Sequence, residues 1–363
     1  MEWLKRVRLS RSREHASKDA MISFINLRAI LLLTCLLLAA ACQRQQGEMW
    51  RESDPTYVPF AVREIVVSAN NRFVGLTVVE HENQAISAAD LRLYLLDVKT
   101  GHHRLLGADG PLLPTVDDQF IYSESGRSPK PPELTRGLDT VRTFDIGEHN
   151  GAWWNSKTNM AVFETGWPQD REGFNILTLL KPATGTFAKL QVREPSELLS
   201  VCRATGNFYT QHQFPNDEVG ADEYDSEGNF IRTLRSPLAV FSQNCRYVLP
   251  FDALGAHGPD DWAVFEASSG KKLMDFPWSE DGETDVHWFN SWNPRHDNLL
   301  LMYSTAAHNK GDSIDLFDVS KGNVVKSWPI SDGSPPVRWS GDGQATVTIR
   351  DQHIVFEPLP AQR

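Results

Sequence analysis

Long apolar runs are scarce in this 363-residue chain. The most conspicuous, Ala29–Ala41 (AILLLTCLLLAAA), has 13 residues and is broken by Thr34. A bilayer-spanning helix needs about 20, so this run does not read as a comfortable span. Cysteine is sparse too, with four residues and no CxxC pair. Excess positive charge is lacking: 36 Lys+Arg face 47 Asp+Glu, a net charge of −11. Without residues 1–41 the counts are 29 and 44, and the balance is about −15. Such a body does not bind nucleic acid by neutralising phosphates, nor dock electrostatically on an anionic membrane; its acidity keeps it soluble. Catalytic signatures are missing as well. There is no HExxH, no GxSxG, no P-loop and no dinucleotide GxGxxG. Asp225–Asn229 (DSEGN) lacks the remaining ligands of a calcium loop and reads as a plain turn. No cofactor and no metal site are expected.

What is present begins with the N-terminus. Residues 1–41 have the build of a secretory signal, with an apolar core too short to be an anchor. Met21 is a second candidate start, with Arg28 ahead of the apolar run. The run ends in Leu38-Ala39-Ala40-Ala41-Cys42. Small residues directly before a cysteine resemble the lipobox of bacterial lipoproteins. That resemblance implies cleavage before Cys42 and lipid on its sulfur and its new amine, and two or three acyl chains anchor a protein stably. Gln43, rather than Asp, follows Cys42, a pattern similar to lipoproteins sorted to the outer membrane. Residues 42–56 then read as a polar tether, and residues 57–363 as one domain.

That domain repeats. An apolar run, a turn rich in Ser, Asn, Asp and Gly, and a second apolar run recur along it. Ser68, Asn155, Arg203, Ser242, Asn293 and Ser340 mark the end of the first run in six copies, at spacings of 87, 48, 39, 51 and 47. A degenerate copy at Leu112–Tyr122, marked by Thr115, divides the first interval into 47 and 40. A Pro-rich loop, Ser125–Pro132, interrupts it. Glycine hairpin turns follow, as at Lys99-Thr100-Gly101, Ala183-Thr184-Gly185 and Ser320-Lys321-Gly322-Asn323. Four strands in about 45 residues make one blade of a β-propeller. Asp285–Trp328 is the best-formed unit. The expected fold is all-β, a propeller of seven four-stranded blades, with six to eight as the alternative. The last unit has room for three strands, and Tyr57–Val62 is the natural fourth, closing the ring and covering an exposed edge.

Ser340-Gly341-Asp342-Gly343-Gln344 resembles the WD40-like repeats of TolB-type periplasmic propellers. Gly270 with Trp278, and Gly322 with Trp328, are similar to quinoprotein-like repeats. Cys202 and Cys245 fall in neighbouring repeats; an oxidising compartment allows a disulfide, and two buried free thiols are the alternative. His149 and Trp153 in one repeat, and Asp285 and His287 in another, enter their blades at equivalent places. They are the candidate binding face, as an aromatic and a polar group near one mouth of the channel; packing between blades is the competing role. The chain is thus expected to be a lipid-anchored, non-catalytic scaffold on the periplasmic face of the outer membrane, binding an envelope protein or a small ligand and no nucleic acid. The alternative is an envelope enzyme of glycosidase, lyase or quinoprotein type with its site at the channel.

Overall fold

The computed structural model describes residues 50–79, 90–124, 130–147, 149–165, 176–192, 198–215, 219–234, 238–250, 263–275, 291–304, 312–330 and 336–360. The chain divides into Met1–Arg51 and Glu52–Arg363. The signal segment and Cys42 lie outside the described residues, as do Trp278, Asp285 and His287. Among the described residues, no helix is long and apolar enough to cross a membrane.

Glu52–Arg363 is a seven-bladed β-propeller. Six blades are four-stranded antiparallel sheets, and the seventh has three continuous strands. In blade 1, Ala61–Val67, Phe73–Val79, Leu91–Asp97 and His103–Ala108 pair in chain order. The first strands of adjacent blades lie beside one another around the axis. Burial explains the sequence pattern. The second strand of blade 1, FVGLTVV, is buried at every position, because both its faces pack on sheets. Outer strands meet water: Asp139–Thr143 is exposed throughout, and Thr186–Gln191 nearly so.

Closure is non-covalent. Val58 N donates to Gln352 O at 2.7 Å, and Ile354 N to Thr56 O at 2.9 Å. Tyr57 pairs antiparallel with His353, so Thr56–Val58 supplies the fourth strand of blade 7. The expected strand over 57–62 is therefore shorter: Ala61 and Val62 already pair with Val79 and Val78 as the start of blade 1. The chain engages the ring before Tyr57, since Asp54 meets His353 at 2.8 Å.

The turns after the first strands stitch most neighbouring blades together on one end of the ring. Asn70 N donates to Asp117 O (3.3 Å) between blades 1 and 2. Asn155 Nδ2 donates to Gly206 O (2.8 Å) between blades 3 and 4, and Asn293 Nδ2 to Gly343 O (3.0 Å) between blades 6 and 7. Asn244 N donates to Asp297 Oδ1 (2.8 Å) between blades 5 and 6, and Gly341 N to Asn71 Oδ1 (2.7 Å) between blades 7 and 1. A Cβ on Gly341 would collide with the Ser68 carbonyl, so only glycine allows that approach. Between blades 4 and 5 the corresponding link is covalent: Cys202 and Cys245 are joined, with Cα atoms 5.7 Å apart, inside the range a disulfide spans.

The repeat marker shifts by one residue in blade 4. Cys202, not Arg203, takes the place of Ser68, Ser242 and Ser340. Its N donates to Asn207 O at 2.8 Å, as Ser242 N does to Tyr247 O and Ser340 N to Ala345 O, both at 2.9 Å. All of these markers are buried. In the serine blades the hydroxyl also accepts from the backbone five residues on, as from Phe73 N at 2.9 Å. Cysteine in that position frees a sulfur for the bridge.

Candidate functional site

First strands of five blades converge on a cavity of about 270 Å³ in the channel wall. Leu113 and Pro114 come from blade 2, Trp153 and Trp154 from blade 3, and Ser200 and Val201 from blade 4. Val240 and Phe241 of blade 5 and Ser291 and Trp292 of blade 6 complete the strand walls. Arg203 and Gln243, each one residue past its first-strand marker, close one end. The walls thus carry indoles, two hydroxyls, an amide and a guanidinium.

The indoles are held from behind. Trp153 packs on the cluster of Met160, Val162 and Leu177, and Trp154 on the cluster containing Ala161 and Phe163. Trp292 donates its Nε1–H to Val240 O at 3.0 Å and stacks on Tyr247 with centroids 6.1 Å apart. Arg203 sits on a turn fixed on both sides. Its carbonyl accepts from Ser156 Oγ (3.4 Å), Gly206 N donates to Cys202 O (2.8 Å), and the disulfide ties Cys202 to blade 5. The Arg203 side chain is exposed to solvent.

His149 and Trp153, paired in the sequence, separate in space. Four residues apart on a strand, they would share a face. A bulge intervenes: Ala152 pairs with Phe163, but His149 pairs with Thr165. One extra residue reverses the alternation and turns His149 towards blade 2. There it is buried, edge-on to Phe163 at 5.3 Å. Its Nδ1–H donates to Gly147 O at 3.0 Å, so the Ser123 hydroxyl donates to its Nε2. Both ring nitrogens are occupied, and His149 cements blade 2 to blade 3. Trp153 alone of the pair lines the channel cavity. The Asp225 turn is an Asx turn: its Oδ1 accepts from Glu227 N (2.9 Å) and Asn229 N (2.8 Å). Among the described residues, no three metal-ligating side chains gather.

A second cavity, about 380 Å³, lies between blades 1 and 2 and holds Glu64, Thr77 and Asp109. Glu64 is exposed on this wall, where the Arg338 and Asp109 charges act on it in opposite senses.

Arg203 and Gln243 were not singled out as site residues from the sequence, although a signal exists. Once Cys202 is aligned with the other markers, the next residues are Ala69, Val116, Ser156, Arg203, Gln243, Pro294 and Gly341. Arg203 is the one charged side chain at that register.

Fold and site together define a β-propeller with a channel-wall pocket. No protein-family model matches the chain, and no curated protein is similar to it in sequence. Among solved structures it is similar to a Kuenenia stuttgartiensis hydrazine synthase structure, with a TM-score of 0.53 at 9% identity, over 83% of this chain and 96% of that one. It is also similar to the Dos1 propeller (TM-score 0.48, 10% identity, 84% of this chain and 80% of that). The WD40 β-propeller domain of Doa1 follows (TM-score 0.46, 12% identity, 82% and 92%). At such identities the likeness concerns the fold alone.

Proposed function

We propose that this chain is a lipid-anchored β-propeller of the bacterial envelope that binds a small ligand at its channel and releases it unchanged. The observation that carries the reading is the channel cavity. Its walls present flat aromatic surfaces with a few convergent polar groups, the usual make-up of a ligand pocket. Location rests on the sequence: small residues precede Cys42, and Gln43 follows it. The acidic body keeps nucleic acid and anionic lipid headgroups out of the set of partners. Mass spectrometry of the mature N-terminus tests the anchor; an unmodified Cys42 would overturn it. Incubating the full chain with envelope extract, then identifying what it retains, tests the binding. A compound recovered chemically intact, and lost in Trp154→Ala, supports the reading; a compound converted during incubation refutes it.

A second reading draws on the cavity between blades 1 and 2. Glu64 and Asp109 stand together on its wall, and a pair of carboxylates in one cavity suits an envelope enzyme of glycosidase or lyase type. Conversion that stops in Glu64→Gln would establish it.

A further inference from the structure

The outer strands of blades 1 to 6 stand at the edges of their sheets, and five of them are blunted in one way. Shortly after the hairpin turn, the ladder to the third strand skips a residue. It is Leu106 in blade 1, Val141 in blade 2, Ile231 in blade 4, Leu273 in blade 5 and Val325 in blade 6. Such a bulge twists an edge away from any further strand. Blade 3 has none. Its outer strand, Thr186–Gln191 (TFAKLQ), pairs residue for residue with Ile176–Lys181 over its whole length, and five of its six residues are exposed. A straight, exposed strand at a sheet edge is the template to which an extended peptide adds as a further strand.

Side chains along this edge select the partner. Phe187 pairs with Leu180, and Lys189 with Thr178. Both therefore lie on the face turned towards blade 2, where Leu180 joins the core of Ile121 and Leu134. Phe187 is 47% exposed. Arg142 of blade 2 reaches the Gly185 turn, where a Cβ would collide with its Nη1. Both cations are exposed. One face of the edge thus presents a guanidinium, a phenyl ring and an ammonium in turn, at steps of two residues.

We propose that Thr186–Gln191 is a docking edge for an extended acidic segment of a partner protein. Alternate residues of that segment run acidic, apolar, acidic, opposite Arg142, Phe187 and Lys189. Opposite charges and apolar pairs set across neighbouring strands each strengthen such a ladder. A lysine on an edge discourages indiscriminate pairing, and here it favours a strand of opposite charge. A second copy of the chain fits less well. Edge-to-edge pairing would bring two copies of Lys189 into one short ladder, between two bodies of net charge −11. The docking edge is on the outer rim and is independent of the channel as a ligand site.

The test uses a dye-labelled acidic peptide, TETITET, and its charge-reversed form, TKTITKT. Each is titrated into the full chain in detergent and followed by fluorescence anisotropy. The acidic peptide is expected to bind saturably and at least about fivefold more tightly than the basic one, with a preference that shrinks as salt is raised. Inserting a valine between Phe187 and Ala188 gives blade 3 the bulge of its neighbours and is expected to abolish binding. Lys189→Glu, at an exposed position, should melt with the wild type and cancel the preference; it decides the matter if the insertion does not fold. No saturable binding of the acidic peptide overturns the inference. So does equal binding of the two peptides, a preference unmoved by Lys189→Glu, or binding that survives the insertion. A wild-type dimer in sedimentation that the insertion dissolves would assign the edge to a second copy, and overturns it too.

Discussion

The boundary between blades 4 and 5 and the boundary between blades 5 and 6 are built on different principles. Between blades 5 and 6, Tyr247, Leu249 and Val264 pack against Trp292, Leu300, Met302, Phe317 and Val319, all buried. Between blades 4 and 5, the buried apolar group among the described residues is Cys202, Tyr209 and Ala221, with Leu234, Phe241 and Cys245 partly covered. Glu223 is buried on the same face, opposite Tyr209 in the sheet. It accepts from Asn207 (2.7 Å), Tyr209 (2.9 Å) and Arg232 (2.7 Å). Burying a carboxylate costs free energy that hydrogen bonds only offset, whereas burying apolar surface stabilises directly. Of the two boundaries, the covalent link stands where the described apolar contact is smaller. A large core acts on the folded state; a disulfide acts mainly by restricting the unfolded one.

Four measurements break or sharpen that contrast. Trp292→Ala removes the centre of the 5–6 core and leaves the Val240 carbonyl unpaired. It is expected to cost about 3–5 kcal/mol in denaturant unfolding; a loss below about 1 kcal/mol would show that this core does not hold the boundary. Cys202→Ala with Cys245→Ala opens a link spanning 43 residues of sequence. About 2–4 kcal/mol should be lost, and a reductant should lower the Tm of the wild type but not of the double variant.

The third measurement concerns Glu223. Burial alone would raise its pKa, but the hydrogen bonds from Arg232, Asn207 and Tyr209 outweigh it, and the net shift is downward. Its contribution is therefore complete above the ordinary value of 4.5 and fades as pH falls towards the lowered folded value. Tyr209→Phe is expected to cost about 1–2 kcal/mol at neutral pH. Glu223→Gln should flatten the acid limb of stability against pH; an unchanged limb refutes the assignment.

The smallest effect lies at the closing seam. The hydrogen bond that His353 donates to Asp54, then the one it donates to the Asp351 carbonyl, raise its pKa above 6.5. That contribution is full below pH 6.5 and is lost as pH rises through the folded value. Asp54→Asn should move the NMR titration of His353 back towards 6.5 with little change in Tm, because the pair is exposed.

Much of the fold was legible because a propeller blade is local. The apolar middle strands, the Gly101 and Gly322 turns with φ of 76° and 66°, and the markers, buried in six of the seven repeats, are all written within about 45 residues of chain. Errors arose where neighbours decide. The Tyr57–Val62 run divides between blades 7 and 1, and a residue at a seam carries no local mark of which sheet claims it. In sequence Arg203 reads as the repeat marker because Cys202 does not resemble serine, although Cys202 occupies the marker's backbone position. His149 and Trp153 enter blade 3 on one strand, and a bulge between them turns the two in different directions.

By itself, the sequence determined the all-β class, the period and number of the blades, and the acidity of the body. Each follows from turn chemistry, apolar alternation or composition, which act over a few residues or over the whole chain without regard to shape. The tertiary structure alone decided that Cys202 meets Cys245, that His149 is sealed between two blades, and that Arg203 lines one cavity with Trp153 and Trp292. Those are facts of convergence. Ring closure brings together the ends of strands about 40–50 residues apart, and no local interaction records which side chains will then face one another.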